Sequence, residues 1–330
     1  MRTGTVALGL AALLIVVVLI AAACAAGEQE QLVGETATPS GAASPGAAEL
    51  SAVIISSDLA VGSNRFMVGL VTPDSEVITD AQVQFGFFKL SGDQGELRSE
   101  AKAMVNKMTR GIVREKSDGT RETVETGETA AYVADVNFDE PGDWAVRIIP
   151  TRGGTLLDPI QLKFTVQKKS ASVAIGEPAP NSRQLTLADV SDLSEIDTAD
   201  PPDPEWHRMT IADAVTPGKP VAIAFTTPGF CETQMCAPMT EELAMLYDQY
   251  KDRVTFIHVE PYYLDKARSG EGLVPIPVME EWGLQTEPWI FIVDAERKVA
   301  AKFEAFVMMD ELEAALQRLL GDEPSSGMEG

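Results

Sequence analysis

The chain has 330 residues, 45% of them hydrophobic and 23% charged; this is a globular composition on a length greater than one ordinary domain, which predicts two packed domains with tails. Its 26 Lys and Arg against 50 Asp and Glu leave a net charge of −24, which repels a phosphate backbone and excludes nucleic acid as a partner. Three cysteines, Cys24, Cys231 and Cys236, are too few for a disulfide framework and fall short of the ligands of a structural zinc site.

Arg2 precedes a continuous apolar run, Val6 to Ala23, which ends in small residues before Cys24. That pattern predicts a signal segment over residues 1–23. Ala21 to Cys24 resembles the lipobox of bacterial lipoproteins, and the resemblance implies lipidation of Cys24 and an extracytoplasmic protein anchored to the bacterial cell membrane. An uncleaved anchor is the alternative, since Val6 to Ala26 would extend roughly 32 Å as a helix and cover a bilayer core. Residues 24–50 are rich in Gly, Ala, Ser, Thr, Pro and Glu and lack an apolar period, which predicts a disordered linker.

Residues 51–168 read as strands separated by turns. β-branched and aromatic runs recur at 52–55, 66–71, 83–90, 130–138, 144–149 and 160–166, punctuated by Gly, Pro, Asn and Asp. Val83, Phe85 and Phe87 alternate with polar or small neighbours, as do Trp144, Val146 and Ile148, which predicts half-buried antiparallel strands in a small β-sandwich. The turn Phe138-Asp-Glu-Pro-Gly-Asp-Trp144 resembles the F-x-x-P-G-x-W/Y turn of bacterial immunoglobulin-like modules, a resemblance that concerns fold and not chemistry. The segment has no cysteine and no histidine, so it reads as a spacer or partner-binding module. Met67, Met104 and Met108 are read as packing rather than copper ligands.

In the second half, an apolar strand at 220–226 runs into Thr227-Pro-Gly-Phe-Cys-Glu-Thr-Gln-Met-Cys236. Met239, Leu243, Leu246 and Tyr250 then recur at helical spacing, so a two-cysteine turn opens an amphipathic helix. Further strands follow at 254–259, around 289–293 and at 299–306, and a closing helix carries Leu312, Ala315, Leu316 and Leu319. This order, with G-E-P-A-P at Gly176 to Pro180 and Pro288 before a later strand, resembles the thioredoxin-like fold over residues 172–321, with a short tail at 322–330. The expected architecture is therefore multidomain: an all-β immunoglobulin-like sandwich, then an α/β thioredoxin-like domain. The resemblance implies that Pro288 is a cis proline facing the cysteines, binding substrate backbone and keeping metal away.

A thiol at a helix start is favoured as thiolate by unpaired N–H groups and the helix dipole. In a regular helix, however, residues five apart have Cα atoms roughly 8.6 Å apart, beyond disulfide reach, so Cys231 has to precede the helix or distort its first turn. Glu232 and Glu287 add negative charge nearby, which predicts a thiol less acidic than in strongly oxidising relatives. The expected chemistry is thiol–disulfide exchange on polypeptide substrates, with Cys231 as nucleophile and Cys236 as resolving thiol. Glu287, Pro288, Phe230 and Trp289 are the candidate substrate-binding residues. No cofactor and no metal is assigned, and the redox partner is not named by any residue.

Three rivals use the same residues. The run T-P-G-F-C-x4-C resembles the site of bacterioferritin-comigratory peroxiredoxins, with Phe230 inserted before the cysteine. Copper handling of the Sco type needs a histidine, for which His258 is the candidate, although His258 and His207 read as packed or surface residues. The third is a binding lipoprotein with a structural disulfide.

Overall fold

The computed structural model describes residues 50–322. The signal segment, Cys24 with its lipidation, the linker up to residue 49 and residues 323–330 lie outside the described residues.

Alternating apolar residues make the first region entirely β. Its strands are β1 (Ser51–Ile54), β2 (Gly62–Val71), β3 (Gln82–Ser91), β4 (Gln94–Lys102), β5 (Met104–Glu115), β6 (Arg121–Phe138), β7 (Gly142–Arg152), β8 (Thr155–Leu156) and β9 (Ile160–Val166). They pair antiparallel in two sheets, one ordered β1-β2-β6-β5 and the other β4-β3-β7-β8 with β9 also on β7. Every second residue points inward: Phe66, Val68, Leu70, Tyr132, Val136 and Phe138 meet Val83, Phe85, Phe87, Trp144, Val146 and Ile148 across one core. Phe138 meets Trp144 edge to face, with ring centroids 4.9 Å apart.

The other face of the first sheet is also covered. Met67, Met108, Ala131 and Val133 pack against Met235 and Phe306 of the second region, so two of the three methionines weighed as packing residues do pack, whereas Met104 is 60% exposed. Charges rim this junction. Arg65 binds Glu311 at 3.0 and 2.9 Å, Asn106 Nδ2 donates to the same carboxylate, and Lys302 Nζ lies 3.0 Å from Asp58.

The second region has a four-stranded sheet ordered β11-β10-β12-β13. It is built from β10 (Val221–Phe225), β11 (Thr255–Val259), β12 (Trp289–Val293) and β13 (Val299–Glu304). The strands β10 and β12 are buried at every residue, because apolar layers cover both faces. One layer contains Trp282, Ile211 and Val278; the other contains Leu243, Leu246, Leu312 and Leu316. The helices are α1 (Ile211–Ala214), α2 (Cys236–Tyr250), α3 (Leu264–Ser269), α4 (Pro277–Glu281) and α5 (Met309–Leu320).

The expected immunoglobulin-like plus α/β thioredoxin-like architecture is corrected by these observations. The structure is mostly β, 41% strand against 18% helix, in three sheets with few helices, and a C-terminal α/β thioredoxin-like domain is not evident. The physical reason is local. Among the described residues, three of the five helices run only four to six residues, the helical structure of residues 172–210 is two short 3-10 turns, and β10 and β11 are the only parallel pair of strands. Among the described residues no helix is long and apolar enough to cross a membrane.

Candidate functional site

Cys231 sits in the turn between β10 and α2, and Cys236 is the first residue of α2. The intervening chain reverses through Gln234, whose φ of 62° is left-handed. This loop, and not a distorted helix, removes the spacing problem: the two sulfurs lie 2.6 Å apart without being bonded. Both cysteines are free and buried.

Cys231 lies ahead of the helix terminus, and its sulfur accepts the Cys236 N–H at 3.2 Å while Thr233 Oγ1 lies 3.3 Å away. The Cys236 thiol, the Thr233 hydroxyl and the amides of residues 235 and 236 outweigh the cost of burial and lower the Cys231 thiol to about 7. Hydrogen bonds to the thiolate dominate, and Glu232 points into solvent. Burial pushes the Cys236 thiol well above its ordinary range, and the neighbouring Cys231 adds to the shift.

Glu287 lies beside the pair: one carboxylate oxygen is within 4.8 Å of both sulfurs. Burial raises its pKa, and Tyr262 donates its hydroxyl to the carboxylate. The Glu287–Pro288 peptide is cis. Pro288 has no N–H, and its carbonyl accepts from Ala305 N at 3.0 Å. Trp289 is 4% exposed and stacks on Phe291 within the core. Phe230 is half-buried beside a groove of about 580 Å³ that it shares with Val113, Arg114 and Arg268.

The first region reaches this loop through main-chain bonds. The edge strand β5 donates from Gly111 N to Gln234 O at 3.0 Å and from Val113 N to Pro228 O at 3.0 Å, and Thr126 Oγ1 lies 2.6 Å from Gln234 Oε1. Met235, next to Cys236, is held in the junction core. Cys231 is consequently only 2% exposed.

Sequence reasoning missed a second buried polar cluster. Asp197, within the polar 181–204 stretch, accepts from His207 Nε2 at 2.8 Å, and its Oδ2 lies 3.5 Å from His258 Nδ1. Burial works against the charged carboxylate, yet His258 and His207 hold Asp197 well below the usual carboxylate range. Burial likewise opposes a charged His258, but Asp197 raises it to about 9, whereas burial keeps His207 below its ordinary value. Glu260, after β11, is pushed up to about 7 by burial. A cavity of about 740 Å³ reaches His207, His258 and Glu260. The set of Cys231, Cys236 and His258 weighed for copper is not assembled, because His258 faces Asp197 and the third donor near the sulfurs is Glu287. The only signal for this cluster in the sequence was the scarcity of histidine, two in the whole chain.

Neither a family model nor a curated protein matches the chain.

Proposed function

We propose that this protein is a membrane-anchored, extracytoplasmic thiol–disulfide oxidoreductase acting through Cys231 and Cys236. The observation that carries the reading is the asymmetry of two adjacent sulfurs: Cys231 accepts the Cys236 amide at 3.2 Å with the Thr233 hydroxyl beside it, which lowers its pKa, whereas burial raises that of Cys236. The Cys231 thiolate attacks a substrate disulfide, forms a mixed disulfide and expels one substrate thiolate, which takes up a proton. Cys236 then loses its proton and attacks the Cys231 sulfur. A Cys231–Cys236 disulfide forms and the second substrate thiolate leaves, so two electrons pass to the substrate. An oxidised pair runs the same steps backwards.

Burial of Cys231 favours one second reading. A peroxide is small enough to reach a sulfur that is 2% exposed, whereas a polypeptide disulfide needs β5 to lift from the loop. In a thiol peroxidase, Cys231 attacks the peroxide oxygen, becomes a sulfenic acid and releases water or an alcohol; Cys236 then condenses with it and releases a second water.

The deciding experiment equilibrates the pair in glutathione buffers, with Cys231→Ser as control, and challenges the reduced protein with a protein disulfide and with hydrogen peroxide. A reversible couple between about −120 and −270 mV with reaction on the protein disulfide supports exchange. Reaction with peroxide alone supports the peroxidase. A couple below about −300 mV marks a structural staple and a binding protein.

A further inference from the structure

The chain has two histidines, and both converge on one buried oxygen. His207 Nε2, His258 Nδ1 and an Asp197 carboxylate oxygen lie within 4.8 Å of one another, and each residue is at most 2% exposed. They come from three separate places: Asp197 after the first 3-10 turn, His207 at the end of the second, and His258 in β11.

The tautomer geometry is informative. His258 Nε2 lies 2.9 Å from the Thr226 carbonyl oxygen and can donate to it; in that tautomer Nδ1 presents a lone pair toward Asp197 Oδ2. Without a metal, the place between these atoms 3.5 Å apart is held by a proton on Nδ1, which is why Asp197 raises His258; a metal ion would displace that proton. That separation is long for a hydrogen bond, but two ligands held at about 2.0–2.2 Å from one tetrahedral ion lie roughly 3.4 Å apart. A ring N–H given to a backbone carbonyl is also how metal-bound imidazoles are oriented.

A second, independent observation is an orphaned acceptor beside the cluster. Glu260 Oε1 accepts from Thr198 N at 2.7 Å and from its hydroxyl, and Thr198 adjoins Asp197. Glu260 Oε2 is buried with no partner. Thr227 Oγ1 reaches toward Glu260 and lowers its pKa, but it too completes no hydrogen bond. A hydrogen-bonded network that served structure alone would satisfy these atoms.

We propose that Asp197, His207 and His258 bind a first-row divalent metal ion of the zinc type. Two imidazole nitrogens select such an ion over calcium or magnesium, which take oxygen. A +2 ion takes the place of the proton shared by Asp197 and His258, so that both imidazoles bind in the neutral form. His207 moves outward from its hydrogen bond by about half an ångström to accept the ion at ligand distance. The cavity at His207, His258 and Glu260 is the entry route. The ion's effect is to pin residues 182–210, which have almost no regular structure, onto the sheet at β11. This site is independent of the cysteine chemistry.

The test uses the full-length protein, stripped with a chelator and titrated with Zn²⁺ by calorimetry and with Co²⁺ by visible absorption. The expected result is one ion per chain, the same stoichiometry in the Cys231→Ser/Cys236→Ser double variant, and a Co²⁺ spectrum without thiolate charge transfer. His207→Gln and His258→Gln are expected to weaken binding by about 100-fold or more, since even loss of an outer-shell partner costs 10–100-fold. The proposal is overturned if the native chain binds no ion, if binding disappears with the cysteines, or if a folded histidine variant binds as tightly as the parent. Should a histidine variant fail to fold, the Co²⁺ titration of the double cysteine variant decides on its own.

Discussion

The cysteine pair and the Asp197 cluster are both buried, but they are built in opposite ways. Cys231 and Cys236 are five residues apart, and one turn plus a helix terminus satisfies them. Asp197, His207 and His258 span more than sixty positions and meet only because the sheet, two 3-10 turns and an irregular segment are assembled. A local site can change its charge or bonding without disturbing the fold, whereas a site assembled from distant segments carries the fold with it.

The sharpest way to test that contrast is to remove one member of each. Cys231→Ser is expected to abolish exchange completely, since no other described thiol has a lowered pKa, and to leave the unfolding free energy within about 1 kcal/mol of the parent. Insulin reduction and urea unfolding on the same preparation check both halves. Asp197→Ala should do the reverse in stability: removing one partner of a buried ion pair costs about 3–5 kcal/mol, read as a lower urea midpoint at constant slope. Equal losses in the two variants would end the distinction.

Two milder experiments sharpen it. Alkylation of Cys231 by iodoacetamide should rise with pH to half its maximum at about 7. In Cys236→Ala, which removes the largest cause of the lowered pKa, the midpoint should move upward. An unchanged midpoint would transfer the effect to the helix terminus. The smallest effect belongs to the junction between the regions. The Asp58 carboxyl is lowered from 3.8 to about 2 by Ser170, Ser172 and Lys302, against the cost of burial. Because the folded value lies below the unfolded one, its contribution is complete above about pH 4 and is lost as pH falls toward 2. In Asp58→Asn the part of the acid-induced loss due to this group should vanish between those limits, as followed by tryptophan fluorescence.

How much of this was legible in the sequence follows the same division. The strand, cysteine turn and helix could be read because alternation, the cysteines and a helical apolar stripe lie within thirty residues. The inward faces of β3 and β7 were legible from period two alone. By contrast β4, β5 and the first half of β6 are largely polar, so their strand character rests on backbone pairing that leaves no apolar signature. Asp197 lay in a stretch of Asp, Ser and Pro that resembles solvated loop, and its burial depends on contacts with residues sixty positions away. The α/β expectation failed similarly: element order along the chain was readable, but the small helical share and the mostly antiparallel pairing were not.

The β-bulge in the β5–β6 ladder sets a phase. Pairing runs from Arg110 opposite Gly127 to Gly111 opposite Glu125, so Thr126 is the unpaired extra residue and its hydroxyl meets Gln234. On the strand opposite, the amides of residues 111 and 113 point outward to the cysteine turn. Strand amides alternate in direction, so the junction counts residues modulo two. Deleting Ile112 would turn one of those amides back toward β6 and break the contact, while deleting two successive residues of β5 would restore the parity. The length of this hairpin is thus a frame in which the turn is read, and a natural relative that keeps the contact should differ there only by even numbers of residues.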